Sequence, residues 1–175
     1  MLLKESDFKD KALDHVAEEM CIAARTAPKG RGIDNIVTAI AGKDTIKKIS
    51  EKMKEIGTAS GSPTFMRDCE NILQASSIVL IGTKLGAMGL KACGLCGYPI
   101  CEEKPQDAVC TLNIGDFGIA VGSAVSVAAD HRADNRIMFS VGRAAVELGL
   151  LGKDVKIVYG IPLSATGKNP FFDRK

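Results

Sequence analysis

Four of the six cysteines fall within eighteen residues, in the run Cys93-Gly-Leu-Cys96-Gly-Tyr-Pro-Ile-Cys101 closed by Cys110, a C-x2-C-x4-C-x8-C spacing. A chain of 175 residues with an ordinary apolar content builds a core without disulfide staples, so clustered thiols point to metal binding or redox chemistry. A cubane iron–sulfur core takes four thiolates, and the chain must wrap it closely enough for backbone N–H groups to reach its sulfides. The spacing suits such wrapping, because three ligands fall within nine residues, Gly94 and Gly97 are free to adopt positive φ, and Pro99 stiffens the turn. Structural zinc favours two separated C-x2-C knuckles or a Cys/His mixture, and no histidine lies between Lys91 and Cys110. A thioredoxin-like pair would use one C-x2-C and leave two cysteines unexplained. The reading is a 4Fe-4S cluster on Cys93, Cys96, Cys101 and Cys110, with zinc and uncoordinated redox thiols as the alternatives. Cys21 and Cys69 sit on apolar helical faces and read as small buried hydrophobes.

Apolar residues make up 46% and charged residues 25%, which excludes a disordered chain. The net charge of +2 arises from 23 basic and 21 acidic residues scattered along the sequence, with no continuous field for nucleic acid or an anionic membrane. The longest uncharged stretches, 71–83 and 117–129, are shorter than the roughly 18 to 20 residues of a membrane span. The N-terminus mixes both signs of charge and lacks a secretory pattern. The expectations are a cytoplasmic protein with no nucleic-acid or membrane partner, one domain over 1–175 and an inserted cysteine loop over 92–111.

Hydrophobic period places the elements. A helix is expected from a Ser6 cap to Arg25, with Leu13, Val16, Ala17, Met20 and Ala24 as its apolar stripe. Residues 27–32, Ala-Pro-Lys-Gly-Arg-Gly, must be a loop, and 36–41 a strand. A helix over 43–56 should end at Gly57, and Ser62-Pro63 should open another with Phe65, Met66, Cys69, Ile72 and Leu73 facing the core. Residues 77–81 read as a buried strand ended by Gly82. Asp116 should cap a helix to Ala129 that is small or apolar almost all round, and so buried. A polar break at 130–136 reads as a capped turn with ion pairs, and precedes a helix carrying Ile137, Met138, Val141, Ala145 and Leu148. Residues 155–161 read as the last strand. Irregular interleaving of helices and strands favours a mixed α/β, α+β sandwich over repeating βαβ units.

CGLCGYPIC resembles the segment that holds a four-iron cluster in the iron–sulfur subunits of Rnf-type electron-transport complexes and in corrinoid iron–sulfur proteins. In those families the fourth ligand follows a longer helical stretch, whereas here Cys110 follows after eight residues. AARTAPKGRGIDNIVTAI, GIAVGSAVSVAADHRADNRIMFSVGRAAVELGLL and GIPLSATGKNPFFDRK resemble a family of uncharacterised prokaryotic proteins described as containing a ferredoxin domain. That resemblance covers nearly the whole chain and implies a cluster without naming a reaction.

A fainter resemblance is to nitroreductase-like flavoproteins. It rests on the order helix, Ala27-Pro28-Lys29, Asn35, strand, helix, and on a later Leu-Gly-Leu turn at 148–150 followed by a strand closing on Gly160-Ile-Pro162. It implies a nitroreductase-like sandwich and FMN beside residues 27–32, with Arg25, Ala27, Pro28, Lys29, Gly30 and Asn35 as contacts. A homodimer is expected on other grounds, because the small-residue helix over 118–129 and the tail aromatics Phe171 and Phe172 need a second surface to bury against. The arginine-rich segment those enzymes use for flavin phosphate is missing, which leaves the phosphate to Arg25, Arg31 or Arg174. A solvated helix-to-strand loop is the equal alternative for 27–32. The functional expectation is an iron–sulfur redox protein, as an FMN-dependent oxidoreductase fed by the cluster, a ferredoxin-like electron carrier, or a metal-stabilised binding protein. Its partner would be an electron-transfer protein or a small-molecule electron acceptor.

Overall fold

Helix α1 spans Glu5–Thr26, α2 Lys43–Ser60, α3 Pro63–Asn71, α4 Thr111–Asp130 and α5 Phe139–Glu147 in the computed structural model, which describes residues 1–172. Strands β1 (Ile36–Ala41), β2 (Ser77–Lys84), β3 (Asp134–Asn135) and β4 (Val155–Ser164) form one antiparallel sheet in the order β1-β2-β4-β3. Alternate residues of the two central strands point to opposite faces. Val79, Ile81, Ile161 and Leu163 receive α1 and α4, while Ile78, Leu80 and Val158 receive α2, α3 and α5. Among the largest fully buried side chains are Phe117 and Met20 on the first side, and Phe171, Met53 and Ile49 on the second. Each stabilises the fold by about 1.5–3 kcal/mol relative to exposure. The result is a mixed α+β sandwich, as the sequence predicts.

Two expected helix starts move. α1 begins at Glu5, not on a Ser6 cap, because Asp7 reaches back to accept the Lys4 backbone N–H at 2.9 Å and satisfies the helix end first. α4 begins at Thr111, five residues before Asp116, with Cys110 in the N-cap position. Its first turn finds partners outside the helix: Thr111 donates to the Leu95 carbonyl at 3.2 Å, and Asn113 to the Lys84 carbonyl at 2.9 Å.

Two glycines expected as terminators lie inside their elements. α2 continues through Gly57 to Ser60 and ends on Gly61 at φ 67°. A side chain at Gly57 would stand 3.0 Å from Phe65 Cβ, so the glycine admits α3 rather than ending α2. Gly82 likewise stays in β2, because Val155 and Val158 occupy the space a side chain would need.

The burial pattern also differs in places. Met66, Leu73 and Ile137 are exposed, and α3 buries Asp68 instead, held by Arg67 at 2.7 Å and Ser140 at 2.6 Å. The polar stretch 130–136 contains β3, which pairs with Leu163 and Ser164 at the sheet edge, and His131 Nε2 stands 2.8 Å from Glu19 Oε2. Met138 is bridged to Gly160 in both directions, so α5 starts only at Phe139. α4 is not buried all round: among the described residues nothing beyond the helix's own adjoining residues lies within 4 Å of where side chains at Gly115, Gly118 and Gly122 would sit, and Ile119 is half exposed. Among the described residues α4 alone has the length and composition of a membrane-spanning helix, and its apolar side lies against α1 and the sheet.

α5 crosses β4 at backbone contact. A Cβ on Gly142 would fall 1.7 Å from the Val158 carbonyl oxygen, and one on Gly160 2.1 Å from Val141. Gly142→Ala should therefore lower stability by about 1–3 kcal/mol or more through overpacking, read as a fall in the urea midpoint at unchanged slope. An unchanged midpoint would contradict this crossing.

Candidate functional site

The chain leaves β2 at Lys84 and enters α4 at Thr111, and between them only a 3-10 turn at Cys101–Glu103 is regular. Asn113, almost fully buried, pins both ends of this excursion. Its amide donates to the Lys84 carbonyl at 2.9 Å and to Thr83 Oγ1 at 3.2 Å, and its oxygen accepts from Asn35 Nδ2 at 2.8 Å. An unmade bond at such a site costs about 1–3 kcal/mol, which is why the polar side chain is tolerated in the core only with its partners in place.

Within the excursion Gly94 and Gly97 adopt φ 65° and 87°, and the Gly97 N–H closes a turn on the Gly94 carbonyl at 3.0 Å. That turn encloses Cys96 and follows directly on Cys93. Cys93, Cys96, Cys101 and Cys110 are all free thiols, and all four line one cavity of about 10 Å³. Its wall is otherwise mainly apolar, with Met88, Leu90, Leu95, Ile100 and Leu112, and among the described residues Lys104 is the one charged residue in it. Cys110 is buried at the N-cap of α4, where the positive end of the helix dipole favours negative charge. Among the described residues no three Cys, His, Asp or Glu side chains gather tightly enough for one metal ion.

Residues 27–32 lie against the same region. The Gly30 N–H donates to Asp116 Oδ2 at 2.9 Å, so Asp116 holds this loop instead of capping its own helix. Arg31, in the left-handed region at φ 58°, donates through Nη1 to the carbonyls of Met88 at 2.5 Å and Gly89 at 3.4 Å. The loop is thereby bonded to the wall of the cysteine cavity. Other expected contacts are engaged elsewhere. Lys29 Nζ caps the carbonyls of Ala24, at 2.9 Å, and Arg25, a favourable place for a cation at a helix C-terminus. Arg25 donates to Asp34; burial works against the Asp34 charge, but the Arg25 hydrogen bond and the Ile36 N–H outweigh it and hold the carboxyl below its usual range. Ala27 is buried, Pro28 is exposed, and Asn35 belongs to the Asn113 network. Arg174 lies outside the described residues.

Asn113, Asp116 and Lys104 were not legible as site residues. An asparagine three residues after a cysteine carries no distinctive signal, although its place within an apolar helix invites a buried partner. Tyr159 packs on Phe117 with ring centroids 5.0 Å apart, Phe171 is buried, and Arg136 stands 5.0 Å above Phe172. Tyr159 and Phe171 thus serve packing, while Phe172 stays exposed beneath Arg136. Burial pushes the thiols of Cys21 and Cys69 up, and the Cys69 thiol lies 3.1 Å from the Met66 carbonyl. In metal-free protein at pH 8, iodoacetamide should therefore spare Cys69 until urea unfolds the chain, while Cys93 and Cys96 react. Mass spectrometry showing Cys69 alkylated as fast as Cys96 in the native state would contradict the placement.

The family described as an uncharacterised protein containing a ferredoxin domain matches residues 106–174, a span that includes Cys110 of the four loop cysteines. An uncharacterised protein of Archaeoglobus fulgidus is 40% identical, over 99% of this chain and 98% of the relative. A nitroreductase family protein from Clostridium novyi NT superposes with a TM-score of 0.62 at 14% identity, covering 91% of this chain and 76% of that one. A nitroreductase with bound FMN from Bacteroides fragilis NCTC 9343 gives 0.61 at 12% identity, covering 92% and 81%. Identities this low establish shared architecture alone. With the fold and the whole-length relative together, the chain belongs to the family of uncharacterised proteins that contain a ferredoxin domain, and it is built on a nitroreductase-like fold.

Proposed function

We propose that this chain is an iron–sulfur redox protein, with a 4Fe-4S core ligated by Cys93, Cys96, Cys101 and Cys110. The observation that carries the reading is that four free thiols, three from one loop and one from a helix N-cap, line a single apolar cavity. A cubane spreads its four ligand sulfurs round a core, whereas zinc gathers them on one ion, and the donor set is all thiol. The bound core supplies one-electron transfer. This chain's residues would hold it: the apolar wall excludes water, Gly94 and Gly97 let the loop curl, and the α4 terminus favours the negative charge of a ligating Cys110 sulfur. The cavity takes roughly one water as it stands. Loading therefore requires the loop to move outward from α4, which the irregular stretch 85–100 permits.

Anaerobically isolated protein should carry roughly four irons and four sulfides per chain. Cys96→Ser should abolish that load and Cys21→Ser should leave it intact. Stoichiometric zinc with no visible absorbance, or loss of iron on changing Cys21, would overturn the assignment.

The finer activity we propose is a flavin-dependent reductase supplied with single electrons by the iron–sulfur site. Fold likeness to nitroreductases, one of them with bound FMN, supports it, as does the Arg31 bond that sets 27–32 against the cysteine cavity. FMN there would take backbone N–H donors from 27–32 together with Lys29, once its ammonium leaves the Ala24 and Arg25 carbonyls. That engagement, and the Arg25–Asp34 pair, favour the second reading, a ferredoxin-like carrier that delivers electrons to a protein or small-molecule acceptor. A homodimer accompanies either reading, since the open glycine face of α4 with Ile119 gives a second copy a surface to cover. Titration with FMN should quench its fluorescence at tens of micromolar protein, and light scattering should return twice the 18.5 kDa chain mass. Unquenched flavin with the cluster intact would leave the carrier reading, and a monomer would end the dimer.

A further inference from the structure

We propose that Lys104 sets the reduction potential of the cysteine site, acting as the fixed positive charge in its wall. The inference rests on the iron–sulfur reading above and concerns what that site is tuned to do. Of the described residues lining the cavity, four are the cysteines, most of the others are apolar, and Lys104 alone is charged. Its ammonium does not swing free. Nζ donates to the carbonyls of Pro105, at 3.0 Å, and Ala108, both within the segment that links Cys101 to Cys110. The side chain is half-buried, so its charge is screened less than that of an exposed lysine. Arg31, the other cation bonded near this wall, is exposed and turned onto the Met88 and Gly89 carbonyls.

Reduction adds one electron to the thiolate-ligated core and makes or breaks no bond, so the site becomes more negative by one charge. A cation held beside it in a low-dielectric wall favours the reduced form and raises the potential. Lys104 is three residues past Cys101 and supplies no ligand atom to the core. Its two carbonyl bonds lie within 104–108, while the Thr111 to Leu95 bond and the Gly94–Gly97 turn hold the part of the loop that carries Cys93 and Cys96. Lys104 is therefore a positioning and tuning residue whose removal shifts the potential without emptying the site.

The test compares wild type, Lys104→Gln and Lys104→Arg, isolated anaerobically, by iron and sulfide content and by potentiometric titration followed in the visible spectrum and by electron paramagnetic resonance, with the electrode as electron source. Lys104→Gln should hold the same iron as wild type and titrate at a clearly more negative potential, and Lys104→Arg should titrate with wild type. Equal potentials for all three proteins at equal iron content would overturn the inference. So would loss of iron from Lys104→Gln, which would make the residue a structural strap, or a Lys104→Arg potential matching that of Lys104→Gln. Wild-type protein that takes up no iron and sulfide would instead remove the iron–sulfur reading itself.

Discussion

The hydrogen bonds of Asn113 fix the geometry on which the candidate site depends. One buried amide holds the last residues of β2, the start of α4 and Asn35 at the head of β1. It ties together the two points between which the 26 residues from 85 to 110 leave and re-enter the sandwich. With it, Cys110 always stands at the helix end facing the loop that carries Cys93 and Cys96. Closing a flexible segment of this length costs little more than closing a shorter one. A long irregular loop is thus tolerable wherever its ends are fixed, and here the sheet fixes one at Lys84 and the Asn113 bonds tie the other, at the start of α4, to it.

The same arrangement joins two regions that look separate in the sequence. Residues 27–32 bind α4 through Gly30 and Asp116, and bind the cavity wall through Arg31 and Met88. The cysteine loop and the end of α1 are thus joined by hydrogen bonds through 27–32. The coupling runs through hydrogen bonds to backbone, so it depends on shape more than on side-chain identity along the loop.

Period made the secondary structure legible where burial alternates cleanly. The expected stripe of Leu13, Val16, Ala17, Met20 and Ala24 is the buried face of α1. β1 covers the expected residues although its burial does not alternate, and Pro63 opens α3 as its fixed φ allows. Glycine misleads where its value is smallness. Gly57 and Gly82 look like terminators in sequence but are spaces for Phe65 and for Val155 and Val158. The cysteine cluster was legible because thiol spacing is a local property. The use of Asp116 was not, since an acidic residue before an apolar run signals a helix cap, and only tertiary packing brings Gly30 to it. Lys29 and Arg25 show the converse: a basic loop suggests anion binding, while local geometry turns both cations onto α1 and Asp34.

The central claim is that the four thiols share one polynuclear iron core. X-ray absorption at the iron edge of anaerobically isolated protein tests it most directly. Such a core predicts a first shell of sulfur alone and a second shell of iron neighbours. A sulfur shell with no iron beyond it, or a first shell containing nitrogen or oxygen ligands, would contradict it.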